Sequence, residues 1–591
     1  MNFAQPLGTQ HASKIYTSSA FKSITVLHSA NYITRSTTNR KILIAGGGIS
    51  GLTAAFELSE DPNLEITVVE SRARCGGKMI GYFNEEAQRF EEHSIRALSS
   101  TYFSLFNLFD RASLLHMLTP VDNYQFYQSG NNALDDEKIQ SKNSGNKVAV
   151  DRRASLDLAT IESMIETFNL NKKDMLQLVQ RIVHHVNASD EERAAMAHKK
   201  AGDIIGIDDF DAHTKRFITN WFGILTGARM HSKAVDIMDS FVLVFLPMLD
   251  APVLPKGVAS KSYCFNRPTS KVIDALVDKL KKRGVKFITQ TRIINLHHHD
   301  NEQLSIDIQA SDSQLQHTLQ DQRFDAAVMA LPHEVLWKLG LMPQVKKPFN
   351  DEWSFGTQYP LSEVPKVFEP FLGKSYNLCF DAPWNIVFQT QHRDGFWQDV
   401  EFPNGFDYNL SATCSSPFNK GSLFGKRFME CSPEEAAEEI LYQLGITDET
   451  ERKAIAKGGS IDAINLRYTE DWQDYADIET AEMGILQENG KRWVNLAQIY
   501  VRNADDELID TATQWDNIVL AGEIISVTGR WKIPTMEQAA TSGKQAAQAL
   551  FDYLNIDTPV SLETSTLLNQ KRYKYLDPLV TAMSKTANAL S

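Results

Sequence analysis

The hydrophobic pattern near the start of the chain predicts a strand, a helix and a second strand in close succession. An apolar run at residues 42–45 is typical of a strand that is buried on both faces. A helical pattern follows at residues 52–58, and a second run, rich in β-branched residues, occupies residues 66–69. Between the first strand and the helix lies Gly46-Gly47-Gly48-Ile49-Ser50-Gly51, and Glu70 ends the second strand. This order matches the G-x-G-x-x-G unit of dinucleotide-binding folds.

The chemistry of a dinucleotide explains the residue types in this unit. Gly46 would form the tight turn, Gly48 would let backbone approach a pyrophosphate, and Gly51 would let the helix pack closely on the strand. The helix N-terminus attracts phosphates, and Glu70 would accept hydrogen bonds from ribose hydroxyls. A glycine turn in an unrelated α/β protein is the alternative. The predicted nucleotide-binding residues of this unit are Gly46, Gly48, Ile49, Ser50, Gly51 and Glu70.

Elsewhere helical and strand-like patterns alternate. Apolar residues recur at helical spacing over 102–109 and over 156–231, and the second of these predicts a mostly helical cap. The most apolar stretch, 239–255, contains three prolines; it predicts cap core or the wall of an apolar cavity, with membrane-surface contact as an alternative. Later predicted elements are a helix with Ser270 as N-cap, strands at 285–288, 292–296 and 324–332, a helix at 434–444 with a Ser432–Glu435 capping box, a strand at 517–523 and a helix from 535.

Size and charge narrow the class of protein. A chain of 591 residues is longer than the chains that usually fold around a single hydrophobic core, so we expect two domains. Hydrophobic content of 42% and charged content of 23% are typical of a globular protein. The net charge of −14, with no basic stripe, argues against a nucleic-acid partner.

The cysteines and histidines indicate neither a disulfide framework nor a metal site. Five widely spaced cysteines without a C-x-x-C fit a reducing compartment. His297-His298-His299 cannot all face one metal from a strand, so we expect a solvated turn there. The first forty residues lack Asp and Glu, which predicts a disordered leader, with a transit peptide as the alternative. We expect a cytoplasmic protein; association with a membrane surface and import into an organelle are the alternatives.

The residues after Glu70 indicate which nucleotide is bound. The run from Glu70 to Lys78, ESRARCGGK, resembles the E-x-x-x-R-x-G-G-[KR] extension of the FAD-binding superfamily of amine oxidases and phytoene desaturases. Nicotinamide-dependent Rossmann domains do not need this extension, so the resemblance implies FAD. It places the arginine and the glycine pair along the flavin phosphates and ribityl chain. The residues implicated in this way are Ser71, Arg74, Gly76, Gly77 and Lys78.

A second motif lies near the end of the chain. The strand ending at Gly522-Glu523 and the segment 534–547 resemble the superfamily motif L-A-G-[DE] … M-E-x-A-x-x-S-G-x-x-A-A. The resemblance implies that Gly522 and Glu523 meet the pyrophosphate and ribityl hydroxyls. The N-terminus of the last helix would point at the pyrimidine end of the isoalloxazine and stabilise reduced flavin through its dipole. The remaining implied FAD-binding residues are Arg292 and Ile293, on the adenine side, and Thr535, Met536 and Ala539, in the last helix.

Together the motifs imply an α/β fold in which a Rossmann-type, GR2-like FAD-binding domain is interleaved with an α+β substrate-binding domain. The similarity is greatest to bacterial flavoproteins that resemble hydroxysqualene dehydroxylases and phytoene desaturases. The expected organisation is a leader at 1–40, an FAD-binding domain from 41–100, 265–340 and 505–553, a substrate or cap domain from 101–264 and 341–504, and a tail at 554–591.

Candidate acid–base residues follow the first motif. Residues 92–96 resemble the E-x-G-x-H block of the superfamily, with Ser94 in place of glycine and Arg96 in place of histidine. His93 and Arg96 are the candidate catalytic residues, and Glu92 is a further acid–base candidate. The alternative for His93 is a hydrogen-bonded packing histidine near the cofactor.

The expected reaction is removal of a hydride from an apolar, isoprenoid, polyene or acyl-chain-like substrate, as in desaturases and dehydrogenases. Amine oxidases of the superfamily usually have an aromatic residue before the M-E of the last motif, where this chain has Thr535. No second dinucleotide motif is present, so O₂ or a quinone is the expected electron acceptor. The alternatives are an amine oxidase that releases hydrogen peroxide, with Trp531 as an aromatic wall, and a flavin-dependent double-bond isomerase without net redox change. Oligomeric state is left open.

Overall fold

The computed structural model of the protein describes most of the chain from residue 39 to residue 562. The described ranges are 39–132, 147–151, 158–226, 229–245, 262–310, 322–342, 353–402, 405–497, 501–528 and 531–562. Residues 1–38 of the predicted leader, most of the predicted tail and the second half of the apolar stretch 239–255 lie outside them. The described residues from Arg40 onwards form one unit, so the domain boundaries stay a prediction.

The described helices include the cap helices expected from the periodicity over 156–231. No helix in these ranges is long and apolar enough to cross a membrane. The helices are α1 Ile49–Leu58, α2 Phe103–Arg111, α3 Leu158–Phe168, α4 Lys172–Asn187, α5 Asp190–Ala194, α6 Ala201–Ile205, α7 Ala212–Thr226, α8 Ala234–Phe245, α9 Thr269–Lys282, α10 His333–Lys338, α11 Pro433–Gln443, α12 Glu449–Gly458 and α13 Met536–Leu554.

The strands form one parallel sheet, one large mixed sheet and several small antiparallel sheets. In chain order they are β1 Arg40–Ala45, β2 Leu64–Val69, β3 Gly81–Asn84, β4 Arg89–Glu92, β5 Ala97–Ser99, β6 Leu118–Pro120, β7 Asn123–Gln128, β8 Lys147–Asp151, β9 Ser262–Phe265, β10 Lys286–Ile288, β11 Thr291–His298, β12 Leu304–Ala310, β13 Ala326–Met329, β14 Phe355–Leu361, β15 Ser375–Cys379, β16 Ile386–His392, β17 Tyr408–Cys414, β18 Ser460–Ile461, β19 Leu466–Thr469, β20 Glu482–Met483, β21 Arg492–Asn495 and β22 Ile518–Leu520.

The parallel sheet has the order β10-β2-β1-β13-β22 and contains segments from widely separated parts of the chain. β1 lies between β2 and β13, with Ile42 opposite Ile66 on one side and Ala326 on the other. Successive side chains of β1 point to opposite faces: Ile42 and Ile44 pack into one core, and Leu43 packs into another with the β11–β12 hairpin. The prediction of a central strand buried on both faces is confirmed.

Helix α13 is tied to helix α2 by a buried carboxylate. Glu537 accepts hydrogen bonds from the backbone N–H groups of Ser104 and Leu105, both at 2.9 Å. These N–H groups belong to the first turn of α2, which has no side-chain cap of its own. Burial raises the pKa of Glu537 to about 7, although these hydrogen bonds oppose the shift. The contact fixes the last helix of the chain against an early one.

The large mixed sheet carries the second core. Its order is β18-β14-β17-β16-β15-β7-β8, and all its pairs are antiparallel except β15 with β7. Trp353, Trp384 and Phe388 are fully buried in this core. Part of the aromatic density between 376 and 397 is therefore sheet core, as the sequence allowed.

Of two local capping predictions, one needs correction and one is confirmed. Ser270 is not the N-cap of α9, because the helix begins at Thr269, after Pro268. The backbone N–H of Thr269 donates to Glu92 at 2.8 Å, and its hydroxyl donates to the same carboxylate, which replaces a side-chain cap. The capping box of Ser432 and Glu435 at the start of α11 is confirmed.

The three adjacent histidines do not share a site. His297 and His298 lie at the end of β11 instead of in the following turn. His297 contacts Asp307 at 2.7 Å, His298 stacks on Trp515, and His299 contacts Ser305 at 2.8 Å. Within the described ranges, no group of three or more His, Cys, Asp or Glu side chains is placed to hold a metal ion. All five cysteines are buried free thiols.

Candidate cofactor and substrate site

A cavity of about 460 Å³ lies at the carboxyl ends of β1, β2, β13 and β22. One end is lined by the glycine turn before α1, the start of α13 and the segment after β2, and we call this the nucleotide end. The other end is lined by Tyr102, Tyr124, Tyr376 and Trp531, and we call this the aromatic end. The carboxyl edge of a parallel sheet is where α/β proteins bind nucleotides.

The turn between β1 and α1 has the geometry that its sequence predicts. Gly46 has a φ of +99°, and a Cβ there would lie 2.3 Å from the carbonyl oxygen of Ala330 in the neighbouring chain segment. Only glycine fits this turn. The Gly47 N–H donates to Glu70 Oε2 at 2.8 Å, and the Arg72 N–H donates to the other carboxylate oxygen at 2.8 Å. The acid at the end of β2 is thus fixed beside the turn.

The nucleotide end fits the phosphates of a dinucleotide. A Cβ on Gly77 would lie 3.0 Å from the Cα of Gly48, so the two glycines leave a shallow cradle at the start of α1. Arg72 lines the cavity, and its Nη2 donates to Asn465 at 3.0 Å. Its Nη1 is buried and has no hydrogen-bond partner among the described residues. A phosphate at this end would satisfy that guanidinium group and the N–H groups of the helix N-terminus.

An ion pair closes the nucleotide end on its other side. Lys78 Nζ lies 2.6 Å from Glu523, which follows β22. Burial would raise the pKa of Glu523, but Lys78 and His333 outweigh burial and lower the pKa to about 2. The first and the last motif of the chain therefore meet in one contact across 445 residues of sequence.

Most predicted site residues line this cavity. Gly51 does not; it lies in α1, where it is buried against the turn. Arg74 is also not brought to the cavity, which corrects the expectation that it follows the cofactor phosphates. Its side chain is 54% exposed and pairs with Asp274 of α9 at 3.2 Å. The predicted residues that do line the cavity are Gly46, Gly48, Ile49, Ser50, Glu70, Ser71, Gly76, Gly77, Lys78, His93, Arg96, Arg292, Ile293, Gly522, Glu523, Thr535, Met536 and Ala539.

Sequence reasoning missed Arg72 as a site residue. It lies two residues after Glu70, at a position that the recognised motif leaves unspecified. The sequence signal is a second arginine in the same short run, and only the fold distinguishes the partly buried Arg72 from the exposed Arg74.

The aromatic end is built from four distant segments. Tyr102 and Trp531 pack edge to face with ring centroids 4.9 Å apart, and Tyr124 and Tyr376 do so at 5.7 Å. Thr535 lines the cavity nearby and caps α13 by accepting a hydrogen bond from the Gln538 N–H at 3.1 Å. The small side chain of Thr535 leaves space that Trp531 borders, so Trp531 does supply an aromatic wall.

His93 is buried beside the cavity and is held by Asp462 and Asn465. Its side chain is 3% exposed, and its Nδ1 lies 2.5 Å from Asp462 Oδ2 and 2.8 Å from Asn465 Nδ2. Contact with a carboxylate favours the tautomer with the proton on Nδ1. Nε2 is then the ring nitrogen that can accept a proton from the cavity.

Glu92 and Arg96 flank His93. The Glu92 carboxylate accepts from Thr269, and burial raises its pKa to about 7. Arg96 donates to Ser94 Oγ and, at 2.5 Å, to the carbonyl oxygen of Lys78. Burial lowers the pKa of Arg96, while the charge of Glu92 opposes that shift.

The fold and the cavity define a dinucleotide-binding oxidoreductase. Residues 49–356, just over half of the chain, match the family described as flavin containing amine oxidoreductase, and the chain belongs to this family. It is therefore an FAD-dependent oxidoreductase. Bound FAD supplies hydride-acceptor chemistry.

The similar proteins share with this chain either a short segment of sequence or the fold. The chain is 34% identical over 80 residues to the carotenoid phi-ring synthase of Chlorobaculum tepidum; this segment is 13% of the chain and 12% of that relative's length. A putative protoporphyrinogen oxidase from Exiguobacterium sp. 255-15 aligns with 87% of this chain and 99% of its own, at 14% identity and a TM-score of 0.51. Cyclohexylamine oxidase from Brevibacterium oxydans IH-35A aligns with 88% and 100%, at 14% identity and a TM-score of 0.50. These structures share the fold.

Proposed function

We propose that the protein removes a hydride from an apolar substrate of the isoprenoid, polyene or acyl-chain class, in a desaturation or dehydrogenation. The observation that best supports this proposal is that the aromatic end and the nucleotide end belong to one cavity. Tyr102, Tyr124, Tyr376 and Trp531 would then hold the apolar chain next to the cofactor. Electrons would pass on to O₂ or a quinone.

The charges in the cavity support an apolar substrate over a protonated amine. A cationic amine needs a carboxylate or an open aromatic cage. Every carboxylate along the described lining already contacts a cation or N–H donor. These carboxylates are Glu70 with Gly47 and Arg72, Glu334 with His333, Glu479 with Arg292 and Lys338, and Glu523 with Lys78. The similarity to a protein named as a carotenoid enzyme points in the same direction.

For FAD, we propose that the backbone of the glycine turn, Glu70, Arg72 and Lys78 hold the nucleotide. Arg72 brings the unpaired buried donor, and Lys78 brings the cation next to Glu523. The start of α13 would face the flavin ring, as the resemblance implies.

For the proton released in a desaturation, we propose His93 as the acceptor. When one carbon loses a hydride, the neighbouring C–H bond gives up a proton and its electron pair forms the double bond. His93 Nε2 would take that proton, because Nδ1 is held at 2.5 Å by Asp462, which stabilises the resulting imidazolium. Arg96 is unsuited to this step, since a guanidinium does not release its proton in proteins.

An amine oxidase is the second candidate. Tyr102 and Trp531 form an edge-to-face pair on the cavity wall, and aromatic pairs can bind an amine. The partly buried Arg96 cation in the same cavity argues against a cationic ligand.

Product analysis tests the proposal. The purified protein, with FAD bound, is incubated with carotenoid, isoprenoid and long-chain acyl substrates and separately with primary and secondary amines, with O₂ or a quinone as acceptor. The proposal expects a product two hydrogens lighter from an apolar compound. Peroxide and aldehyde or imine products from amines alone would favour the second candidate. A changed double-bond position without acceptor consumption would favour the isomerase.

A further inference from the structure

We propose that Arg96, with Tyr102 and Tyr376, forms a binding site for a single carboxylate group at one end of the apolar substrate. This inference rests on the proposed function and names the substrate class more closely: an amphipathic acid whose apolar chain occupies the aromatic end.

Arg96 has more hydrogen-bond donors than partners. A guanidinium group carries five N–H donors. Nη1 donates to Ser94 Oγ and Nη2 donates to the carbonyl oxygen of Lys78. Nε is buried and has no hydrogen-bond partner among the described residues. Arg96 lines the cavity, so a ligand there can reach a cation whose donors are only partly used.

Arg96 forms no ion pair in the described part of the chain, although Glu92 and Asp462 are near enough for their charges to oppose the lowering of its pKa. Both of its hydrogen-bond acceptors, Ser94 Oγ and the Lys78 carbonyl, are neutral. Glu92 has the larger effect of the two, but its carboxylate accepts a hydrogen bond from Thr269 and burial raises its pKa to about 7. Withdrawing a guanidinium from water without a directly paired anion is costly. A bound anion would remove this cost.

The neighbours of Arg96 favour an anion and an apolar chain together. The Tyr102 and Tyr376 phenols are near enough to influence the pKa of Arg96, and all three side chains line the cavity. Burial raises the pKa of both phenols, so they stay neutral O–H donors at pH 7. A cation with two hydroxyl donors suits a carboxylate, and the aromatic rings suit the chain attached to it.

The number of cationic side chains that the cavity lining leaves for the substrate favours a substrate with one negative charge over a substrate with several. Lys78 pairs with Glu523, and Arg292 pairs with Glu479. Arg72 lies at the nucleotide end, where the cofactor phosphates bind in the proposed function. Among the described lining residues this leaves Arg96 for the substrate. A diphosphate group would need more cations than this end offers.

Ligand binding to the FAD-loaded protein tests the site. The probes are dodecanoate, 1-dodecanol and dodecylamine below their micelle concentrations, and the readout is the change in the visible spectrum of bound FAD. We expect dodecanoate to bind about tenfold or more tightly than dodecanol, and dodecylamine to bind most weakly. Equal Kd values for the acid and the alcohol in the unaltered protein would overturn the inference without any variant.

Variants then assign the preference to Arg96. Arg96→Met should bind the acid and the alcohol equally, and Arg96→Lys should keep part of the preference because it keeps the charge. Arg74→Met removes an exposed arginine outside the cavity and should match the unaltered protein. FAD content and Tm are measured for each. The inference is wrong if Arg96→Met retains the acid preference. If Arg96→Met does not retain FAD, Arg96→Lys is compared with the unaltered protein instead, and an undiminished acid preference in Arg96→Lys would contradict the role of the guanidinium group.

Failure of the inference differs from failure of the proposed function. Oxidation of a neutral apolar compound without any preference for the acid would leave the proposed function standing and remove the carboxylate site. Tight, Arg96-dependent binding of dodecanoate, with no apolar compound oxidised, would leave the site standing and remove the proposed function.

Discussion

The nucleotide end and the aromatic end of the cavity differ in how their polar groups are satisfied. At the nucleotide end, Glu70 is held by two backbone N–H groups and Glu523 by Lys78, and Arg72 Nη1 is the exception without a partner. At the aromatic end, Arg96 is a cation with neutral partners. A site whose backbone and charged groups are already held in place by the protein suits a cofactor, which is the same molecule in every reaction cycle. A site with unused donors among aromatic rings suits a substrate that supplies the missing charge.

Disrupting the turn at the nucleotide end should have the largest effect. In Gly46→Ala the new Cβ would lie 2.3 Å from the Ala330 oxygen at a φ of +99°. We expect FAD affinity to fall by about 100-fold or more, because the backbone that holds the phosphates must move. The matched control is Gly284→Ala, which has a φ of +89° but open space around the Cβ. FAD titration of both proteins checks this, and equal affinities would contradict the role of the close contact.

Removing the histidine next to the aromatic end should slow the reaction and leave the cofactor bound. We expect His93→Gln to lower kcat by about 100-fold or more, the usual contribution of an acid–base group. Asp462→Asn should lower kcat as well and alter its pH profile, because Asp462 orients the ring and stabilises its charged form. FAD content is measured in parallel. A loss of FAD with unchanged kcat per bound flavin would make His93 a packing residue instead.

The buried carboxylate between α13 and α2 should make stability depend on pH. The pKa of Glu537 is about 7 in the folded protein, above its ordinary value of 4.5. Between these values the folded protein retains a proton that the unfolded chain has released, so the stability contributed by Glu537 falls as pH rises from about 4.5 to 7 and is level above. The expected fall is about 3 kcal/mol.

Glu537→Gln should remove this part of the pH dependence. Denaturant unfolding at pH 5 to 8 measures it, and Glu86→Gln, on the exposed turn between β3 and β4, is the control. Glu92, whose pKa is also raised to about 7, should leave a residual slope. Parallel profiles for Glu537→Gln and the unaltered protein would contradict the assignment.

The smallest expected effect distinguishes two cations of the same motif. Lys78→Met should weaken FAD binding by about tenfold, since it removes a cation from the nucleotide end and leaves the Glu523 carboxylate without its lysine partner there. Arg74→Met should change the affinity by less than about twofold, because an exposed ion pair contributes little. Comparable losses in the two variants would restore Arg74 to the cofactor phosphates, as the motif alone suggested.

The parts of the fold that sequence predicts well are those encoded by neighbouring residues. The strand, turn, helix and acid from residue 42 to Glu70 form one continuous unit, and the Ser432–Glu435 cap spans a single helical turn. Each of these depends on local backbone geometry and hydrogen bonding. Strand β22 and helix α13, near the end of the chain, are predictable for the same reason.

Features that depend on distant contacts were not predictable in this way. Thr269 begins α9 because Glu92 accepts its N–H from 177 residues away, so the local preference for Ser270 as N-cap was overruled. The exposure of Arg74 depends on Asp274, 200 residues later. Asp462 reaches His93 across 369 residues. Neither its position nor its pairing leaves a periodic or motif signal in the sequence.

Anaerobic reduction of the bound FAD tests the central claim most directly. The purified protein is mixed without oxygen with a polyene or long-chain apolar substrate and, in a separate experiment, with an amine, and the visible absorbance of FAD is followed. The account predicts bleaching by the apolar substrate, with one equivalent of desaturated product per flavin. Bleaching by the amine alone, followed by peroxide when air is readmitted, would contradict it.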